Sequence, residues 1–276
     1  MNIFDQMMQG YVIQSNDDQN NALHEVMQQI ALAGLYRGGF FNKAAFYGGT
    51  CLRIFHGLQR FSEDLDFSLL QPQDKFNLEE YFEPIKNEFK ALGREVLISK
   101  KEKKTNTNVE SAFLKDDTAI YNLHFRTERN VKVKFEVDIN PPLGFSTENK
   151  LLLLPFSFMP RCYILPDLFA GKMHAFLFRN WKNRVKGRDW YDFEWYVRNN
   201  IPLNFGHLQQ RVFQFGSIAK EEFTLEYFKH LVKEMISKTN TEMVKADVGP
   251  FIKNPNEMDI WSVDYFNQLV DMIRYM

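Results

Sequence analysis

The chain has 276 residues, 45 % of them hydrophobic and 27 of them phenylalanine, so it can bury one large core or two modest ones. Its 34 lysines and arginines against 35 aspartates and glutamates leave a formal charge of −1, which excludes a strongly basic nucleic-acid binder by bulk charge but allows local basic patches. Cys51 and Cys162 sit in apolar stretches without metal-cluster spacing, and they read as buried thiols of a reducing compartment rather than as a disulfide scaffold.

The first twenty residues, MNIFDQMMQGYVIQSNDDQN, lack the basic-then-apolar order of a signal peptide. The most apolar run, LLLLPFSFMP, is too short and too interrupted by proline to cross a bilayer. A soluble cytoplasmic protein without membrane contact is expected. From Asn20 to Arg37 the residues Leu23, Val26, Met27, Ile30, Ala31 and Leu35 fall on one helical stripe, which predicts an amphipathic helix packed on a sheet. KAAFYGG reads as a short buried strand ending at a glycine turn. Thr50 to His56 reads as one or two helical turns that stop at Gly57. Leu65, Phe67 and Leu69 then alternate with Asp64, Asp66 and Ser68, which is strand periodicity.

Residues 76 to 92 predict a helix with Gly93 past its end. REVLISKK, SAFLKDDTAIYNLHFR and VKVKFEVDIN follow as strand segments, with KKEKKTNTN as a polar loop, and the tandem prolines of NPPLGF end the pairing. From about Pro155 onward the pattern turns helical. LPDLFAGKMHAFLFRNW opens with Pro166 and Asp167, a helix-start pair, and RDWYDFEWYVRNN, EEFTLEYFKHLVKEMIS and WSVDYFNQLVDMIRY read as further helices. The order predicts an α+β protein: a mixed-sheet domain over residues 1–155, then a helical domain over 156–276 that completes the active site.

The chemistry concentrates in GGTCLRIFHGLQRFSEDLDF. Residues two apart on a strand point to the same face, so Asp64 and Asp66 project together while Leu65 and Phe67 turn to the core. Two neighbouring carboxylates repel unless a cation compensates them. Mg²⁺ suits that place, because it takes hard oxygen ligands and keeps positions for phosphate oxygens. Gly48 and Gly49 let an anion approach the backbone at a helix start, where the amides and the helix dipole favour it, and the Thr50 hydroxyl offers a further hydrogen bond. Arg53 and Arg60 flank the acids; Arg53 is placed to reach a phosphate or to brace Glu63. Glycine turn and paired acids together outline a site for a nucleoside triphosphate and its metal.

The same stretch resembles the AbiEii/AbiGii-type toxin nucleotidyltransferases of the DNA polymerase β-like superfamily. The superfamily pattern of glycine, Ser or Thr and a later Asp-x-Asp falls on Gly49, Thr50, Asp64 and Asp66, with Gly-Gly-Thr standing where the family has Gly-Ser. Arg53, Gly57, Arg60, Phe61, Ser62 and Glu63 extend the match. VKVKFEVDIN resembles the strand with the third acid, which gives Asp138 as the first choice and leaves Glu136 open, since both share a face. AGKMHAFLFR resembles the lysine-bearing helix, matching Lys172, and KGRDWYDFEW the acidic motif after it, with Asp189 first and Asp192 close behind. VKADVGPFI is a weaker echo near the end.

The resemblance implies a polymerase β-like fold and Mg²⁺-dependent transfer of a nucleotide from a nucleoside triphosphate. One or two Mg²⁺ ions would be held by Asp64, Asp66 and Asp138. Lys172 and Arg179, on one face of a helix, would grip the triphosphate, with Asp189 and Asp192 holding Lys172 or contacting the nucleotide. It also implies a toxin with a cognate antitoxin, acting on an RNA end such as that of transfer RNA, or on a protein hydroxyl. Arg179, Lys182, Arg184, Lys186 and Arg188 between Trp181 and Trp190 suit RNA, and Lys100, Lys101, Lys103 and Lys104 form a second basic patch. The six histidines are scattered, with no pair at ligand spacing.

Overall fold

The computed structural model describes residues 2–100, 118–125, 132–179, 185–214, 218 and 222–276. Lys101, Lys103, Lys104, Trp181, Lys182 and Arg184 therefore lie outside the described residues. Two compact units divide the chain. One comprises Met1–Phe55, Ser62–Pro141 and Thr147–Cys162; the other comprises His56–Phe61, Pro142–Ser146 and Tyr163–Met276. The sheet unit thus runs past the expected boundary at residue 155, and two short segments of the first half belong to the helical unit.

The sheet unit is built on β1 (Ala44–Tyr47), β2 (Asp64–Leu69), β3 (Val96–Lys100), β4 (Thr118–Phe125), β5 (Lys132–Asp138), β6 (Thr147–Asn149) and β7 (Arg161–Tyr163). Among the described residues they form one mixed sheet in the order β3-β4-β5-β2-β1-β7-β6. β2 runs antiparallel to β1 and parallel to β5. The helices of this unit are α1 (Ile3–Gln9), α2 (Asn16–Arg37), α3 (Gly48–His56) and α4 (Phe82–Ala91). The predicted helix, strand, short helix, strand series is present in that order. The segment 76–92 divides into a 3₁₀ turn, Leu78–Tyr81, and α4, with Gly93 past the end at φ +70°.

Alternation along β2 and β5 decides which face is core. Leu65, Phe67, Phe135 and Val137 are buried, whereas Asp64, Asp66, Lys134 and Glu136 between them stay half-exposed. Phe67 is the hub of the buried side, with ring centroids 4.9 Å from Phe40, 5.3 Å from Phe46 and 6.4 Å from Phe135. Such edge and offset contacts add to the burial of large rings. A firm aromatic layer beneath β2 holds the polar face in place.

The helical unit contains α5 (Leu165–Phe178), α6 (Gly187–Arg198), α7 (Phe205–Gln214), α8 (Leu225–Lys238), α9 (Thr241–Val248) and α10 (Val263–Met272). Pro166 lies in the first turn of α5, where a missing N–H costs nothing. Thr224, Asn240 and Ser262 cap α8, α9 and α10 through their side chains. α6 has no capping side chain on its own N-cap residue, Lys186; instead the Gly187 amide donates to Asp247 Oδ2 at 2.9 Å. A side chain at Gly187 would collide with the Val244 carbonyl. The weak motif VKADVGPFI therefore seats the start of α6.

Candidate active site

The parallel register of β2 on β5 sets Asp64 across from Lys134, Asp66 across from Glu136, and Ser68 across from Asp138. Paired residues of neighbouring strands share a face, so Asp64, Asp66, Glu136 and Asp138 line one side of the sheet, together with Lys134 and the exposed Lys132. Of the two acids left open on β5, Glu136 stands directly opposite Asp66. Asp138, the first choice, lies one pairing further along, at the strand end, and its Oδ1 accepts the Asn140 amide at 3.1 Å. Lys134 Nζ is ion-paired with Glu136. Burial works against charge on Lys134, yet Glu136, Asp64 and Asp66 outweigh it and raise the ammonium above the ordinary lysine value.

The glycine turn touches the same acids. Gly48 has φ +83°, in the left-handed region that favours glycine, and a Cβ there would collide with the Asp66 carboxylate. Gly48 is therefore required twice, by its backbone and by its neighbour. Gly49 is buried. Thr50 is buried, and its hydroxyl donates to the Asp64 backbone carbonyl. Its role is to fasten α3 to the acidic strand. Arg53 Nε donates to Glu25 Oε2 at 2.8 Å, and the Tyr11 hydroxyl donates to Glu25 Oε1 at 2.8 Å. Arg53, expected to reach a phosphate or to brace Glu63, thus ties α3 to Glu25 of α2.

The chemistry of the donors on this face, rather than their present spacing, suits a divalent cation. All the donors are hard carboxylate oxygens, which is the set magnesium prefers, and an ammonium already stands among them as a stand-in cation. Among the described residues no three His, Cys, Asp or Glu side chains are gathered around one point, and Glu136 is drawn to Lys134. A cavity of about 580 Å³ elsewhere in the sheet unit, lined by Tyr36, Arg37, Gly39, Phe41, Asn42 and Phe156, contains none of the acids.

The helical unit holds a second ionic cluster. Lys172 Nζ lies 2.8 Å from Asp189 Oδ1 and 2.7 Å from Asp192 Oδ2. Arg60 grips Asp192 with two parallel bonds of 2.6 Å each and donates to the Phe61 carbonyl at 3.0 Å. Arg60, Asp189 and Asp192 are buried, and the Lys172 side chain is only 14 % exposed. Burial alone would raise the Asp189 carboxyl; the charges of Lys172 and Arg179 overcome it and bring it down to about 2. Asp192 is likewise lowered by Arg60 and Lys172 against its burial. Asp189 and Asp192 hold Lys172, one of the two roles expected of them. Arg60, an undecided residue in the sequence, completes the clamp.

The basic stretch beside this cluster differs from expectation at Trp190. Trp190 is buried, 4.9 Å from Phe176 and 4.8 Å from Phe266 by ring centroid, so it is core and offers no face to a base. Arg188 lies over Phe251 at 4.1 Å. Arg179 is 47 % exposed and reaches Asp189 at 4.0 Å. Burial and the neighbouring charges of Arg179, Lys172 and Arg188 lower Lys186 to about 8, which marks a crowded group of cations.

Residues 30–270 match the family described as nucleotidyl transferase AbiEii toxin, type IV toxin–antitoxin system, and the chain belongs to that family. Solved structures of similar fold include one from Mycobacterium tuberculosis and one from Helicobacter pylori. MenT4, a nucleotidyltransferase toxin from Mycobacterium tuberculosis H37Rv, is 15 % identical with a TM-score of 0.58, covering 98 % of this chain and 87 % of its own. JHP933 from Helicobacter pylori is 16 % identical with a TM-score of 0.51, covering 91 % and 89 %. No curated protein matches the sequence. Among the described residues no helix is long and apolar enough to cross a membrane.

Proposed function

We propose that the chain transfers a nucleotide from a nucleoside triphosphate to a hydroxyl at an RNA end, transfer RNA included, as the toxin partner of a cognate antitoxin. The observation that carries this reading is the register of β2 on β5, which assembles Asp64, Asp66 and Glu136 on one face beside the Gly48 turn. Asp64, Asp66 and an acid of β5, Glu136 by register with Asp138 next along, would hold Mg²⁺, which when bound offsets triphosphate charge and favours the in-line displacement. The Gly48 turn admits a phosphate close to the backbone at the start of α3. The acid of β5 takes the proton of the attacking hydroxyl. The new bond forms between that oxygen and the α-phosphorus, the bond to the β-phosphate oxygen breaks, and pyrophosphate leaves. In the helical unit, the exposed Arg179 and the cations around Lys186 favour a polyanionic acceptor.

Incubating the purified protein with each radiolabelled nucleoside triphosphate, Mg²⁺ and total RNA tests the reading. Label is expected in the RNA fraction with wild type and not with Asp66→Ala. Equal labelling by both proteins removes the assigned site. Label confined to protein moves the acceptor to a protein hydroxyl, and no label with any of the triphosphates leaves a binding module on the same fold. Induced expression without the antitoxin is expected to arrest growth, and unaffected growth contradicts the toxin role.

A further inference from the structure

We propose that Lys134 is a built-in counter-ion that occupies the cation position of the resting site and yields it when metal arrives with a nucleotide. The inference rests on the metal-site reading above and adds its regulation. Lys134 stands across from Asp64 on the neighbouring strand, and Glu136, two residues on and therefore on the same face, stands across from Asp66. Its Nζ is ion-paired with Glu136. Glu136 is thereby turned toward a lysine of its own strand, and among the described residues no closed trio of ligands exists.

Without a cation, carboxylates this close would resist ionising together and would strain the strand pairing. An ammonium relieves that repulsion in the absence of metal. Lysine suits the task better than arginine, because it is a compact point charge on a flexible stem and makes no bidentate grip on one carboxylate. The Lys134 side chain is 31 % exposed, so the ammonium has a path to water. A bare divalent ion must displace this charge unaided. A metal already bound to a triphosphate brings further ligands, and the displaced ammonium, still tethered to β5, can pair with the anionic nucleotide. The resting toxin would thus ignore free metal and load only the metal–nucleotide complex.

Mn²⁺ binding to the full chain, followed by electron paramagnetic resonance, tests this without turnover. Wild type, Lys134→Met and Lys134→Arg are compared, each with and without a non-hydrolysable triphosphate analogue. Without nucleotide, Lys134→Met is expected to bind Mn²⁺ at least about tenfold more tightly than wild type, since one repelling charge at close range is removed. Lys134→Arg is expected to stay near wild type, and the analogue is expected to narrow the gap. Equal or weaker binding by Lys134→Met overturns the proposal, as does Lys134→Arg binding as tightly as Lys134→Met. If no protein binds Mn²⁺ even with the analogue, the metal-site reading itself fails, and this inference with it. Thermal melts supply a second readout: Mn²⁺ should raise the melting temperature of Lys134→Met more than that of wild type. Lys134→Gln serves the same comparison if the methionine variant does not fold.

Discussion

Two ionic clusters are assembled from the same kinds of side chain and behave differently. In the helical unit Arg60 and Lys172 face Asp189 and Asp192 through bonds of 2.6 to 2.8 Å, Arg179 approaches Asp189 as a third cation, and Arg60, Asp189 and Asp192 are buried. In the sheet unit Asp64, Asp66, Glu136 and Asp138 share a half-exposed face with Lys134 and Lys132. A largely buried cluster in which every acid has a cation is a clamp, because removing one member strands a buried charge. A face with excess acid near water is a place for a cation to come and go. Burial and the supply of cations, more than residue type, distinguish the two clusters.

Substitutions on the two sides should separate along that line. The largest effect is expected from Asp66→Asn, which should cut nucleotide transfer by about 10³-fold or more. Its urea midpoint should stay close to wild type, since an acid on the polar face adds little to the core. A transfer rate within a fewfold of wild type would break the division. Asp192→Asn should show the opposite profile. It leaves Arg60 and Lys172 short of their shared partner in a buried place and should cost about 3–5 kcal/mol in equilibrium unfolding. A loss below about 1 kcal/mol would mean the clamp is not what holds α5 and α6.

A smaller effect is expected from pH. The folded pKa of Asp189 is about 2 against an ordinary value of 3.8. The folded state therefore favours the ionised form, and the contribution is complete above about pH 4 and lost as pH falls through the folded value. It should amount to about 2 kcal/mol, read as a decline in unfolding free energy between pH 4 and pH 2. Asp192, also lowered, titrates in the same direction. Asp189→Asn should flatten part of the decline, and an unchanged acid limb would remove the assignment. The smallest effect is expected from Asp247→Ala. It deletes the acceptor for the Gly187 amide and should cost about 1 kcal/mol, as loss of a helix cap does. Hydrogen exchange should locate the loosening at the first turn of α6.

Local pattern carried much of the fold and the first half of the site. Period-two alternation in DLDFSL is enough to put Asp64 and Asp66 on one face and Phe67 in the core, because a strand has only two faces. The helix α2, the turn at Gly48 and the Pro166 start of α5 were legible for equally local reasons. The strands β6 and β7 were not, since three residues are too few for any periodicity to register. Nor was α7, whose sequence FGHLQQRVFQ opens with residues of weak helical preference.

What the sequence determined by itself was the parity of the acids, the glycine turn beside them and the motif series of a nucleotidyltransferase toxin. Only the tertiary structure decided the partners. It placed Glu136 opposite Asp66 and Lys134 opposite Asp64, committed the Thr50 hydroxyl to a carbonyl, joined Arg60 to Asp192 across 132 residues, and buried Trp190. The physical reason is that periodicity fixes the direction of a side chain within its own element, whereas the charge it meets depends on register and packing between segments far apart in the chain.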